Sequence, residues 1–213
     1  MKTPRIPTAE DVLPTIDPLL RAIYAALEAG TQSARDFFDS LGQPIDPSLA
    51  PALVRYHAKL YLDSAGHQVS VVEFEREPLA NNGLCLHTPA HSIRILKAAL
   101  NGRPPVPGPS RARIAFYNQQ PYLFPFMEEE LARAPLNLLV LWDVTPAYAL
   151  RSLSLVCPKS GDTTRESVDW HWRVALDHPA LAVPVSDAGT SPDDDLDMRL
   201  DVPQDDAGSE PGA

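Results

Sequence analysis

Three groupings of side chains in this sequence have types and spacings that chemistry can use. The first is Cys85-Leu86-His87-Thr88-Pro89-Ala90-His91. Cys85 and His87 would share one face of a strand, with His91 returning across the turn, and all three are zinc-type ligands. A closed zinc site takes four ligands, and no second Cys/His pair has ligand spacing. A buried thiol beside two surface histidines accounts for the segment more simply, so no metal or other cofactor is assigned.

The second grouping is acidic. Asp63, Glu73, Glu75 and Asp143 read as strand or strand-edge carboxylates, and Lys97 ends a strand. Two such carboxylates and a lysine around Mg²⁺ are the parts of a phosphodiester hydrolase. Against that, Glu73, Glu75 and Glu77 alternate with period two, which is the pattern of a solvated sheet face.

The third is the most unusual. From Pro78 to Met127 there is no Asp or Glu, yet Arg94, Lys97, Arg103, Arg111 and Arg113 all fall there. Arg111 and Arg113 open an expected helix that also carries Tyr117, Asn118 and Gln119. Guanidinium groups beside aromatic and amide side chains hold phosphates and stack on bases, so this stretch reads as a candidate anion or nucleic-acid site. The plain alternative is a basic surface paired with Glu128 to Glu130. Beyond it, Pro121-Tyr122-Leu123-Phe124-Pro125-Phe126 is an apolar segment. Tyr122, Phe124 and Phe126 would anchor a partner if exposed, or line the core if not. There is no GxGxxG, Walker loop, nucleophile elbow or HExxH, which weighs only against families that require them.

The elements that must position these groups begin with helices. Thr8 to Asp11 resembles a capping box. Asp17-Pro18 reads as the start of a helix that Gly30 stops. Thr31 then caps a short helix ending at Gly42, and Asp46-Pro47 opens a third that runs to about Gly66. The period then shifts to strands near Val69 to Glu77, Leu84 to His87 and Ser92 to Lys97, an expected antiparallel meander. A proline-rich loop follows, then a helix capped by Ser110 and ended by Pro121. A short acidic helix is expected over 127–134. Leu138 to Val144 is an almost continuous apolar run, hence a central strand covered on both faces. Leu150 to Val156 alternates Leu and Ser like a strand with one wet face. Trp170 and Trp172 alternate with His171 and Arg173 in a last strand.

This order predicts an α+β fold, with N-terminal helices packed on a mainly antiparallel sheet of five to six strands. The length of 213 residues suits a single domain over 1–186 with an appendage over 187–213. That appendage carries nine acids against one base, Arg199, so it accounts for most of the net charge of −10 and leaves the body nearly neutral. With no aromatic residue and few aliphatic ones, it should be a disordered acidic tail. No apolar leader segment opens the chain and no run is long enough to span a bilayer, so no membrane is expected. Two cysteines among aliphatic neighbours fit a reducing, cytoplasmic compartment. The expectation is an intracellular, non-enzymatic interaction or regulatory protein with a protein partner. The alternative is a nucleic-acid or phosphate-binding factor, or a metal-dependent phosphodiester hydrolase, using residues 94–113.

Overall fold

The computed structural model describes residues 6–65, 75–78, 83–99, 102–119, 135–160, 168–176 and 182–184. Helix α1 (Ala9–Ser40) opens on the expected capping box: the Thr8 hydroxyl accepts from the Asp11 backbone N–H, and the Asp11 carboxylate accepts from that of Thr8. It is one helix where the sequence pattern suggested two. Pro14 and Pro18 lie inside it, each forfeiting a backbone hydrogen bond, and Gly30 does not stop it. The apolar stripe Val12, Ile16, Leu19, Ile23, Ala26 and Leu27 continues past the prolines, and burial of that stripe outweighs the local helix-breaking preferences.

Gly30 has a packing role. A Cβ there would lie 2.6 Å from the Val54 carbonyl oxygen, so only glycine lets the second helix cross this closely. The helix ends instead at Gly42, with φ of +60°; the N–H groups of Gly42 and Gln43 bond back to the carbonyls of Asp39 and Phe38 in a Schellman closure. The Asp46 carboxylate then accepts from the N–H groups of Ser48 and Leu49 and leads the chain into α2 (Ala50–Ala65). Ala50, Val54, Ala58 and Leu62, four residues apart, bury against α1.

Among the described residues seven strands form one sheet in chain order: β1 (Glu75–Pro78), β2 (Leu84–His87), β3 (His91–Lys97), β4 (Leu136–Val144), β5 (Leu150–Ser160), β6 (Asp169–Leu176) and β7 (Ala182–Pro184). The body is β2 to β6, and β1 and β7 are short edge strands. Every pairing is antiparallel except β3 with β4. A parallel neighbour needs a crossover, and its helix is α3 (Arg111–Tyr117), N-capped by the Ser110 hydroxyl as its sequence implied.

The two faces of the sheet have different covers. Toward α1 and α2 point Leu84, Leu86, Ile93, Ile95, Leu138, Val140, Trp142, Leu153 and Leu155. Toward α3 point Leu139, Leu141 and Val156, packed on Phe116 and Tyr117. Thus β4 is buried on both faces, as its apolar run implied. Just after α3, Gln119 adopts φ of 54° and uses its side-chain amide as a stitch. Its Nε2 donates to the carbonyls of Asn137 and Pro158, and its Oε1 accepts from the Asn137 N–H. The acidic helix expected over 127–134 and the tail over 187–213 lie outside the described residues, as do most of the turn at 81–83 and the strand expected from 69 to 74. Among the described residues no helix is long and apolar enough to cross a membrane.

Candidate functional site

The sheet divides the cations of the basic segment between its two faces. Arg94 points toward α3, only 8% exposed, with its guanidinium carbon 4.6 Å from the centroid of the Phe116 ring. Its Nε is buried and has no hydrogen-bond partner among the described residues. A buried charge normally has its N–H groups paired, so a guanidinium resting on an aromatic face with its Nε unpaired is an unusual arrangement. Beside it, Tyr117 is fully buried and donates to the Pro105 carbonyl at 2.8 Å. Burial raises the Tyr117 pKa, and the charges of Arg113 and Arg94 partly offset that rise. Arg113 therefore lies within electrostatic reach of the same phenol, whereas Arg111 and Arg103 are exposed on α3 and on the loop before it.

Lys97 lies elsewhere. Three residues along a strand reverse the face, so its side chain is on the side of α1 and α2. Its ammonium lies 5.5 Å from the centroid of the Tyr148 ring, and Lys97 is in register with Trp142 across the parallel pair. Arg55 of α2 also acts on Tyr148, whose pKa burial pushes up to about 12 while Arg55 draws it down. Tyr148 occupies the left-handed region, φ 58°, in the β4–β5 turn. Its N–H donates to the Thr145 carbonyl, and the Thr145 hydroxyl accepts from the Ala149 N–H. Such backbone in a residue other than glycine costs about 1–2 kcal/mol, and residues held this way concentrate at functional sites.

The other groupings are also placed. Cys85 is buried on the α3 face in register with Arg94, and His87 Nδ1 is 2.9 Å from the Ser92 hydroxyl. His91 falls on the opposite face, where Thr88 holds its N–H and burial lowers its imidazole pKa. Among the described residues no three His, Cys, Asp or Glu side chains gather as a metal site. Asp143 pairs with Arg151 and accepts from the Val144 N–H, while Asp63, expected at a strand edge, lies in α2. Asp143 alternates with Trp142 along β4 and so lies on the sheet face opposite Lys97. Glu73 lies outside the described residues, as do Tyr122, Phe124 and Phe126.

One surface escaped the sequence reading. Of the large apolar side chains exposed among the described residues, all but Val106 belong to the α1–α2 hairpin: Phe37, Leu41, Leu49, Tyr56, Leu60 and Tyr61. Leu49, just before α2, and Tyr56 and Leu60 within it follow an i, i+7, i+11 spacing and form a second apolar stripe on the side of the helix away from its buried one, while Leu53 between them packs partly on the core. Tyr56 and Leu60 are 44% and 45% exposed. Its signal was present as an apolar pattern too wide for one packing face. Compared with protein-family models, with curated proteins and with solved structures, the chain matches none.

Proposed function

We propose that this chain is a non-enzymatic interaction protein of a reducing intracellular compartment, docking a protein partner on the outer stripe of α2. The observation that carries this reading is the second apolar stripe, because a helix in a soluble fold needs only one buried face. Anchors at this spacing suit an amphipathic helix laid alongside. Arg55 and Lys59, four residues apart, border one side of the stripe, so the partner helix should carry acids on its matching flank. Two buried cysteines, neither in a disulfide, agree with the compartment.

Photo-crosslinking residues placed at Tyr56 and at Leu60 test this. Each should yield one discrete heteromeric adduct, lost when Leu49→Lys is added, and the purified adduct partner should bind the wild type saturably. Adducts formed at Arg111 but not at these two positions would refute the reading. A homodimer adduct would put a second copy of the chain on the stripe and refute the heteromeric partner. A second reading, phosphate or nucleic-acid binding through the α3 face, is supported by Arg94, whose buried Nε has no partner among the described residues.

A further inference from the structure

The carboxyl ends of the two parallel strands β3 and β4 meet the β4–β5 turn under α2, and donor groups accumulate there. Trp142 is fully enclosed, and its indole Nε1 has no hydrogen-bond partner among the described residues. The hydroxyl of Tyr148, 6% exposed, is in the same condition. Lys97 links them: it is the in-register neighbour of Trp142 and its ammonium lies against the Tyr148 ring. Interiors pair nearly all of their buried polar atoms, so two orphaned donors on the sheet face that carries Lys97 describe a place that lacks an acceptor. The left-handed backbone of Tyr148 keeps the phenol in place at this turn. Crevices at the carboxyl ends of parallel strands are also where open α/β sheets take their ligands.

We propose that Trp142, Tyr148 and Lys97 form a receptor for a small carboxylate, the indole N–H and phenol O–H donating to its oxygens and the ammonium balancing its charge. A single negative charge matches this set. A phosphate dianion would bring more charge than one lysine among aliphatic neighbours such as Leu153 and Val144 can compensate. Arg55, close enough to act on Tyr148, adds positive potential on the α2 side. The phenol stays protonated near neutral pH, so it remains a donor. This site shares Arg55 with the flank of the α2 stripe but none of its apolar anchors, so either assignment can fail without the other.

The chain has three tryptophans, so indole N–H resonances of the ¹⁵N-labelled full chain give a direct readout. The Trp142 signal is assigned by its loss in Trp142→Phe or, if that variant does not fold, by elimination with Trp170→Phe and Trp172→Phe. Titration with sodium propionate should move the Trp142 signal saturably, and sodium chloride at equal ionic strength should not. Lys97→Met and Tyr148→Phe should each weaken propionate binding at least tenfold while the remaining spectrum keeps its dispersion. A Trp142 signal that ignores propionate, responds to inorganic phosphate alone, or responds undiminished in Lys97→Met overturns the proposal.

Discussion

Replacing Gly30 by alanine tests the close approach of α2 to α1. The added methyl would meet the Val54 carbonyl oxygen at 2.6 Å, with the Val54 carbonyl carbon and Cγ1 both at 3.3 Å. Ordinary contact begins near 3.4 Å, so α2 must retreat by about 0.8 Å. The obstacle is backbone, which has no rotamer to change. Overpacking of this kind costs about 1–3 kcal/mol, and the upper end applies here. Alanine returns about 1 kcal/mol through its better helix propensity. The net loss is about 2 kcal/mol, which for a domain of this size lowers Tm by roughly 4–8 °C. Thermal melts of Gly30→Ala and wild type, followed by circular dichroism, measure it directly. An unchanged or raised Tm would mean that propensity alone governs the site and that α1 and α2 do not cross at Gly30.

Leu139→Asp should abolish soluble expression, because β4 is covered on both faces and a carboxylate there has no partner; normal folding would remove β4 from the centre of the sheet. Arg111→Glu with Arg113→Glu should leave Tm within about 1–2 °C, since both side chains are exposed. If the α3 face binds nucleic acid, the same pair should lower affinity and flatten its salt dependence, whereas wild type ignoring DNA and RNA at low salt would eliminate that reading. Burial pushes the Cys157 thiol up to about 12, so at pH 8 it stays protonated and should resist a disulfide reagent until the protein is unfolded. Rapid native labelling at Cys157 would contradict its burial.

The legible parts of this fold are those written locally. Thr8 with Asp11, the stop at Gly42, the Ser110 cap and the apolar run of β4 each declare their role within a few residues. What could not be read there depends on distant partners. Pro14, Pro18 and Gly30 look like boundaries because their local preferences oppose a helix, yet α1 is decided by its buried stripe and by Val54. The parallel pairing of β3 with β4 is invisible in either strand. The basic segment is continuous in sequence, but period two puts Arg94 and Lys97 on opposite faces of β3. Trp142 and Tyr148 gave no sequence signal at all. An orphaned donor is defined by what surrounds it, and a left-handed tyrosine follows a turn that contains neither Gly nor Asn where one would be expected.

The indole of Trp172 in β6 donates to the carbonyl of Pro7 at 2.8 Å, across 165 residues of sequence, and α1 packs on the same face of β5 and β6. On the ribosome α1 emerges well before these strands. At ordinary elongation rates the interval is on the order of ten seconds. Throughout it, Leu19, Leu20, Ile23 and Leu27 have only the early elements to cover them. A nascent chain arranged this way leaves that apolar stripe uncovered by its sheet for the whole interval. A circular permutation that makes α1 after its sheet should shorten that exposure.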